Sequence, residues 1–288
     1  HRRVVTMPAN QTNQTGFTLL EIAIVVLIIS ILLGYSVAFF PKQQELRKYQ
    51  DADREMDKII EAIVGFAQVN GRLPCPSLAA SAGVASGGGL TDCLTFGGFV
   101  PSNTLGFQGR LNIDSLLADP WGNPYRYYVS NADADGGGDS DFVTNGQMQE
   151  IGLVDIVDIP NGDLSSDGYI DLDGQYVICN VQSLADATDD ICANPADVVF
   201  GNAFATGGPY AGAPIVLISL GKNGGDTPAA NTGELENKGS TNLGGYMIKA
   251  VGETTFVKKG FADDYDDIVK WVSPSVLFSK MIEAGQLP

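Results

Sequence analysis

Apolar residues run almost unbroken from Phe17 to Phe40, FTLLEIAIVVLIISILLGYSVAFF, interrupted only by Glu21 and a few small hydroxyl side chains. As a helix this stretch extends about 36 Å, enough to cross the hydrocarbon core of a bilayer. The pattern then changes. In KQQELRKYQDADREMDKIIEAIVGFAQVNG, Leu46, Tyr49, Ala52, Met56, Ile59, Ile60, Ile63 and Ala67 recur at three- and four-residue spacing, the period of a helix with one buried face. The chain therefore predicts one helix from Phe17 to about Val69. Its membrane-spanning part covers 17–40 and its amphipathic part 41–70, with Pro41 and Gly34 as places for a bend or local loosening. Arg2 and Arg3 precede the apolar run with no acid beside them, which predicts a cytoplasmic N-terminus and an outer domain over 71–288. A secretory signal peptide would have a shorter apolar region closed by a small-residue cleavage site, and none follows.

Beyond Gly71 the chain reads as loops and short strands rather than helices. GRLPCPSL and the Gly/Ser/Ala-rich stretch to Gly89 predict a loop, and Asp119 to Val129, DPWGNPYRYYV, predicts a turn entering an aromatic, β-branched strand. Further strand candidates are Gln175 to Val181, Pro214 to Leu220, Gly245 to Val251 and Ile268 to Trp271. The economical architecture is α+β, an antiparallel sheet packed on the amphipathic half of the helix, with a long acidic insert over about Ser130 to Ala213.

Charge and composition narrow the classes of function. The formal net charge is -17, and between Asn112 and Leu235 only Arg126 and Lys222 are basic. Such a surface repels nucleic acid and attracts divalent cations, so no nucleic-acid partner is expected. The four cysteines form two local pairs, Cys75 with Cys93 and Cys179 with Cys192, and no C-x-x-C occurs. Two loop-closing disulfides in an oxidising compartment are the simplest reading, although four cysteines allow three connectivities and reduced thiols are the alternative. The single histidine is His1, which lies ahead of the apolar run; P-loop, G-x-S-x-G and dinucleotide-binding patterns are missing. An enzyme is not expected. Trp121 and Trp271, with Tyr125, Tyr127 and Tyr128, are either a ligand-binding face or core, and strand spacing favours core.

The segment TGFTLLEIAIVVLIIS resembles the type IV prepilin signature, with Gly16 before the cut and Phe17, Thr18, Leu19, Leu20 and Glu21 after it. The resemblance implies that residues 1–16 are a leader, removed on the cytoplasmic side by a prepilin peptidase that methylates the new amine of Phe17. Met7 is a candidate start, and the leader's QTNQTG is neutral where such leaders carry a basic residue. Glu21 is an acid in hydrocarbon, at a cost of about 3 kcal/mol, with no base within a turn or two. The freed Phe17 amine of a neighbouring subunit would neutralise it, making Glu21 the register-setting charge of assembly.

Two outer blocks are similar to the major pseudopilin of the type II secretion system: the Asp119 to Tyr125 turn, and Ser219-Leu220-Gly221-Lys222-Asn223-Gly224-Gly225 with a later Asp266-Asp267-Ile268. In that family the last two hold calcium. Here Asn223 stands for a family aspartate, Asp267 matches the second acid, and Asp226, Asp266 or Glu234 complete an oxygen shell. Within the insert, Asn131, Asp133, Asp135 and Gly136 open like an EF-hand loop, but Phe142 stands where the bidentate glutamate belongs; Asp163, Asp167, Asp171 and Asp173 form a second acidic series. The expectation is a pilin-like or pseudopilin subunit of a type II secretion or type IV pilus filament, or of a related competence system. It would sit single-pass in the bacterial inner membrane, working with the peptidase, the assembly platform and other pilin-like subunits. The alternative is a minor pilin or membrane-tethered adhesive or cargo-binding protein with a calcium-ordered insert.

Overall fold

The computed structural model describes residues 16, 18–133, 138–149, 174–180, 192, 197–201, 212–224, 233–250, 252–262 and 265–287, with backbone only at 34–42. The chain divides into two compact units, His1–Arg47 and Lys48–Pro288. One helix, α1 (Leu19–Asn70), begins in the first and ends in the second, and its backbone is helical through Gly34 and Pro41. Among the described residues, no helix is long and apolar enough to cross a membrane. The expected span of 17–40 includes Phe17, which lies outside those residues, and side chains from 34 onward that do as well.

In the second unit, the amphipathic half of α1 buries one stripe. Ala52, Met56, Ile59, Ile63 and Ala67 are fully buried, and Tyr49 and Ile60 pack at the margin. The spacing of three and four residues keeps them on one face, and each large aliphatic side chain contributes about 1.5–3 kcal/mol by leaving water. Leu46, expected in the same stripe, is 51% exposed. It precedes Lys48, where the second unit starts.

The stripe lies against a four-stranded antiparallel sheet of order β1-β2-β5-β9, made of β1 (Gly97–Phe99), β2 (Arg126–Val129), β5 (Ile215–Ser219) and β9 (Ile268–Val272). Side chains alternate strictly between its faces, as strand geometry requires. Tyr127, Val129, Ile215, Leu217, Ile268 and Val272 join the helix core, whereas Tyr128, Val216, Ile218 and Val269 join a second core behind the sheet. Lys270, on the helix side of β9, donates its ammonium to the Asp53 and Asp57 carboxylates and to the Asp53 carbonyl, tying strand to helix.

The second core is closed by a further sheet, β4-β3-β8, from β3 (Val177–Cys179), β4 (Val198–Phe200) and β8 (Thr255–Val257). Its β3 and β8 run parallel, which departs from the purely antiparallel expectation. Tyr176, Ile178 and Phe256 pack on Tyr128 and Val216, so helix, sheet and sheet form three layers within this unit. Strands β3 and β4 belong to the stretch read as an acidic insert: its described parts are framework, not appendage. A separate hairpin joins β6 (Thr241–Leu243) to β7 (Tyr246–Ile248).

Two further helices correct the expectation of loops and strands alone, α2 (Gly233–Lys238) and α3 (Pro274–Glu283). The local signals for α3 are plain in retrospect. Ser273 caps it by accepting the Val276 N–H at 3.4 Å, Pro274 fixes the first-turn φ, and Leu277, Phe278 and Met281 fall on one buried face. Both local cysteine pairs are disulfides, Cys75 to Cys93 and Cys179 to Cys192. Tyr125, Tyr127 and Tyr128 are buried, Trp121 and Trp271 pack against the two cores, and the aromatic set is therefore core rather than a ligand face. Phe142, at the would-be glutamate of the EF-hand-like loop, is fully buried.

Candidate functional site

At the N-terminus, Gly16 and Thr18 are non-helical and α1 starts at Leu19. The reason is an N-cap: Thr18 accepts the Glu21 N–H through Oγ1 at 3.3 Å, and its carbonyl accepts the Glu21 and Ile22 amides. Thr18 and Glu21 thus stand at N-cap and N3, where a carboxylate also complements the positive end of the helix dipole. The resemblance singled out Glu21 but not this local role. Around Glu21, every large apolar side chain from Leu19 to Leu33 is between 48% and 92% exposed. A helix apolar on all sides needs an apolar environment from outside the chain.

The two outer blocks meet. Asp119 is fully buried and organises its own turn, with Oδ1 accepting the Trp121 and Asn123 N–H groups at 2.9 Å each. Its Oδ2 accepts the Ser219 hydroxyl at 2.7 Å. Asn123 then donates Nδ2 to the Gly221 carbonyl at 2.6 Å. Burial, the largest influence, holds the Asp119 carboxyl above the usual range against the pull of these donors. The turn thereby fixes the first residues of the 219–224 loop. Gly221 has φ of +59°, and a Cβ there would meet Asp266 Oδ1 at 2.4 Å, so only glycine fits beside the acid.

On this loop sits an acidic cluster. Glu234, Asp266 and Asp267 each offer a carboxylate oxygen, and the three oxygens lie within 4.8 Å of one another. Glu234 comes from α2, and its Oε1 accepts the Asp266 N–H at 2.7 Å while its Oε2 accepts Asn223 Nδ2 at 2.7 Å. Asp266 Oδ2 accepts the Lys222 N–H at 3.0 Å, and its Oδ1 is buried without a hydrogen-bond donor. Asp267, 2% exposed, accepts Asn237 Nδ2 at 2.9 Å. Burial and then the neighbouring Glu234 push the Asp266 carboxyl up to about 6. Asp267 is raised well above the ordinary carboxylate range, chiefly by burial.

Of the metal-ligating residues expected from sequence, the fold brings together Asn223, Asp266 and Asp267, with Glu234, and Asp226 lies outside the described residues. Asp133 instead accepts the Gly138 N–H at 2.9 Å; Asp135, Asp163, Asp167, Asp171 and Asp173 are outside the described residues. Sequence reading missed Asn237, and it named Ser219 in the loop block without its bond to Asp119. A buried asparagine or serine carries no spacing signal, and only the fold shows what each one holds.

Residues 11–36 match the family described as the prokaryotic N-terminal methylation motif. No curated protein and no solved structure matches the chain. The chain thus carries a type IV prepilin-like signature, of the kind that prepilin peptidase cuts and that directs assembly with pilin subunits, and the motif implies a membrane-anchored or filament protein.

Proposed function

We propose that this chain is a structural subunit of a pilin-like filament, a pseudopilin of type II secretion or a subunit of a type IV pilus. It enters the bacterial inner membrane through 17–40 with its N-terminus inside, is cut after Gly16, and is drawn by an inner-membrane platform into a filament of pilin-like subunits. The observation that carries this is the methylation motif at 11–36 laid over the start of an apolar helix whose large side chains from Leu19 to Leu33 are exposed. Cutting leaves the Phe17 amine within reach of a neighbouring Glu21, which removes the cost of a lone carboxylate in lipid. The pseudopilin form draws support from Asp119 and Asn123, which join the two blocks on which that resemblance rests. The test is the mass of the mature N-terminus from a host with the peptidase. N-methylated Phe17 is expected, and an uncut chain would overturn the reading; Gly16→Val should remain precursor.

Calcium belongs to the same proposal. The orphaned Asp266 Oδ1 among three crowded carboxylates fits a hard cation that prefers oxygen ligands. Asp266, Asp267 and Glu234 would hold it, with the Asn223 side-chain oxygen as a neutral ligand. Bound there, it would supply positive charge that neutralises the cluster and orders the loop. Calorimetry of the full chain in detergent should show calcium binding that Asp267→Asn abolishes; no heat at millimolar calcium would remove this part.

A further inference from the structure

Position 224 accepts only glycine, because a Cβ there would lie 2.7 Å from Leu220 Cβ and 2.8 Å from Asn123 Nδ2. The turn that packs the loop against the Asp119 block therefore places a bare glycine amide directly after Asn223. An asparagine followed by glycine is the dipeptide whose main-chain nitrogen reaches the side-chain carbonyl most easily, since no Cβ obstructs the attack. At Asn70-Gly71 the same dipeptide is pinned; it recurs at Asn145-Gly146 and at Asn161-Gly162, the last of which lies outside the described residues. Gly71 donates its N–H to Ala67 O at 2.8 Å, and Asn70 donates Nδ2 to Phe66 O at 2.8 Å, so both groups are engaged with the end of α1. Among the described residues, no acceptor takes the Gly224 N–H.

We propose that Asn223-Gly224 is a deamidation site that acts as a one-way switch on the loop. The Gly224 nitrogen bonds to Asn223 Cγ and loses its proton, the Cγ–Nδ2 bond breaks, and ammonia leaves. Water then opens the five-membered imide to aspartate or isoaspartate. The consequence is local and large. Before the reaction, Asn223 Nδ2 donates to Glu234 Oε2 at 2.7 Å and clasps the loop to α2. Afterwards an acceptor-only carboxylate occupies that place, facing Glu234, with Asp266 and Asp267 close by. Donor becomes like charge, and the loop must part from α2 or take up a cation. This inference does not depend on calcium being bound in the unmodified chain.

The full chain in detergent, held at mildly alkaline pH and 37 °C, is digested at intervals and its asparagine-containing peptides are weighed. The mass gain of deamidation is expected at Asn223 well before Asn70; conversion of Asn70 with Asn223 intact would overturn the proposal. The consequence is read separately on Asn223→Asp, which carries the aspartate product at that position. In chelator it should melt below the wild type, and added calcium should recover most of the loss. Asn223→Asp melting with the wild type in chelator would overturn the switch even if deamidation occurs.

Discussion

Asp119 shows how one buried acid can serve architecture. Fully buried, it accepts from two backbone amides and one hydroxyl, and replacing it with alanine leaves those donors unpaired. Asp119→Ala should cost about 2–4 kcal/mol in denaturant unfolding. Asn at 119 keeps the acceptor for the two amides and meets Ser219 with its NH2, so Asp119→Asn separates charge from geometry. The native carboxyl is held above its unfolded value, so the folded chain binds that proton more tightly. The wild type should therefore gain stability relative to Asp119→Asn as pH falls from neutral towards about 4, and lose it as pH rises through the native value. Parallel melting curves at every pH would show that the carboxyl does not titrate in that window. Glu21 stands in the first turn of α1, where its carboxylate complements the helix dipole, and, as proposed, it pairs across subunits. Glu21→Ala should be cut normally yet fail to enter filaments, which separation of sheared filaments from membranes will read.

At the scale of elements, the helix was legible because its signal is long and periodic. Ala52, Met56, Ile59, Ile63 and Ala67 announce their face in sequence and are all fully buried. Truncating one of the larger ones, Ile59→Ala or Ile63→Ala, should cost about 2–5 kcal/mol. The Lys270 clamp is worth less, since Asp53 and Asp57 are half exposed. Lys270→Met should lower stability by about 1 kcal/mol or less, and by less still in high salt. Helix α3 was missed because the last expected strand ended at Trp271 and no element was read beyond it, although its Ser-Pro start is a local stop-and-start signal. Strands β1 and β8 were missed for a different reason. GGF and TFV are too short to show a period, and Gly97 is required because a Cβ there would meet Tyr128 at 2.7 Å, a constraint visible only once the sheet is formed. The metal-site candidates were legible through resemblance to a loop pattern, whereas Asn237 and the docking of α2 depended on long-range closure.

For the whole molecule, the decisive departure is the second sheet. Reading 130–213 as an insert suggested a module that deletion would remove cleanly, yet β3 and β4 lie within it and Ile178 is fully buried against Val216 and Phe256. Removing the segment would strip the back of the main sheet. Phe256→Ala, outside the segment but in the same layer, should cost about 3–5 kcal/mol and lower the melting temperature of the entire outer unit in a single transition. A separate early transition would mark the second sheet as independent. The burial of both faces also shapes how the sequence is free to drift. All five residues of β5, IVLIS, are shielded, so neither parity offers a place for a charge, a tag or a probe. Variation and engineered labels are therefore confined to the rims, where Thr241 and Asn242 of β6 stand in solvent and a reporter can be attached without disturbing a core.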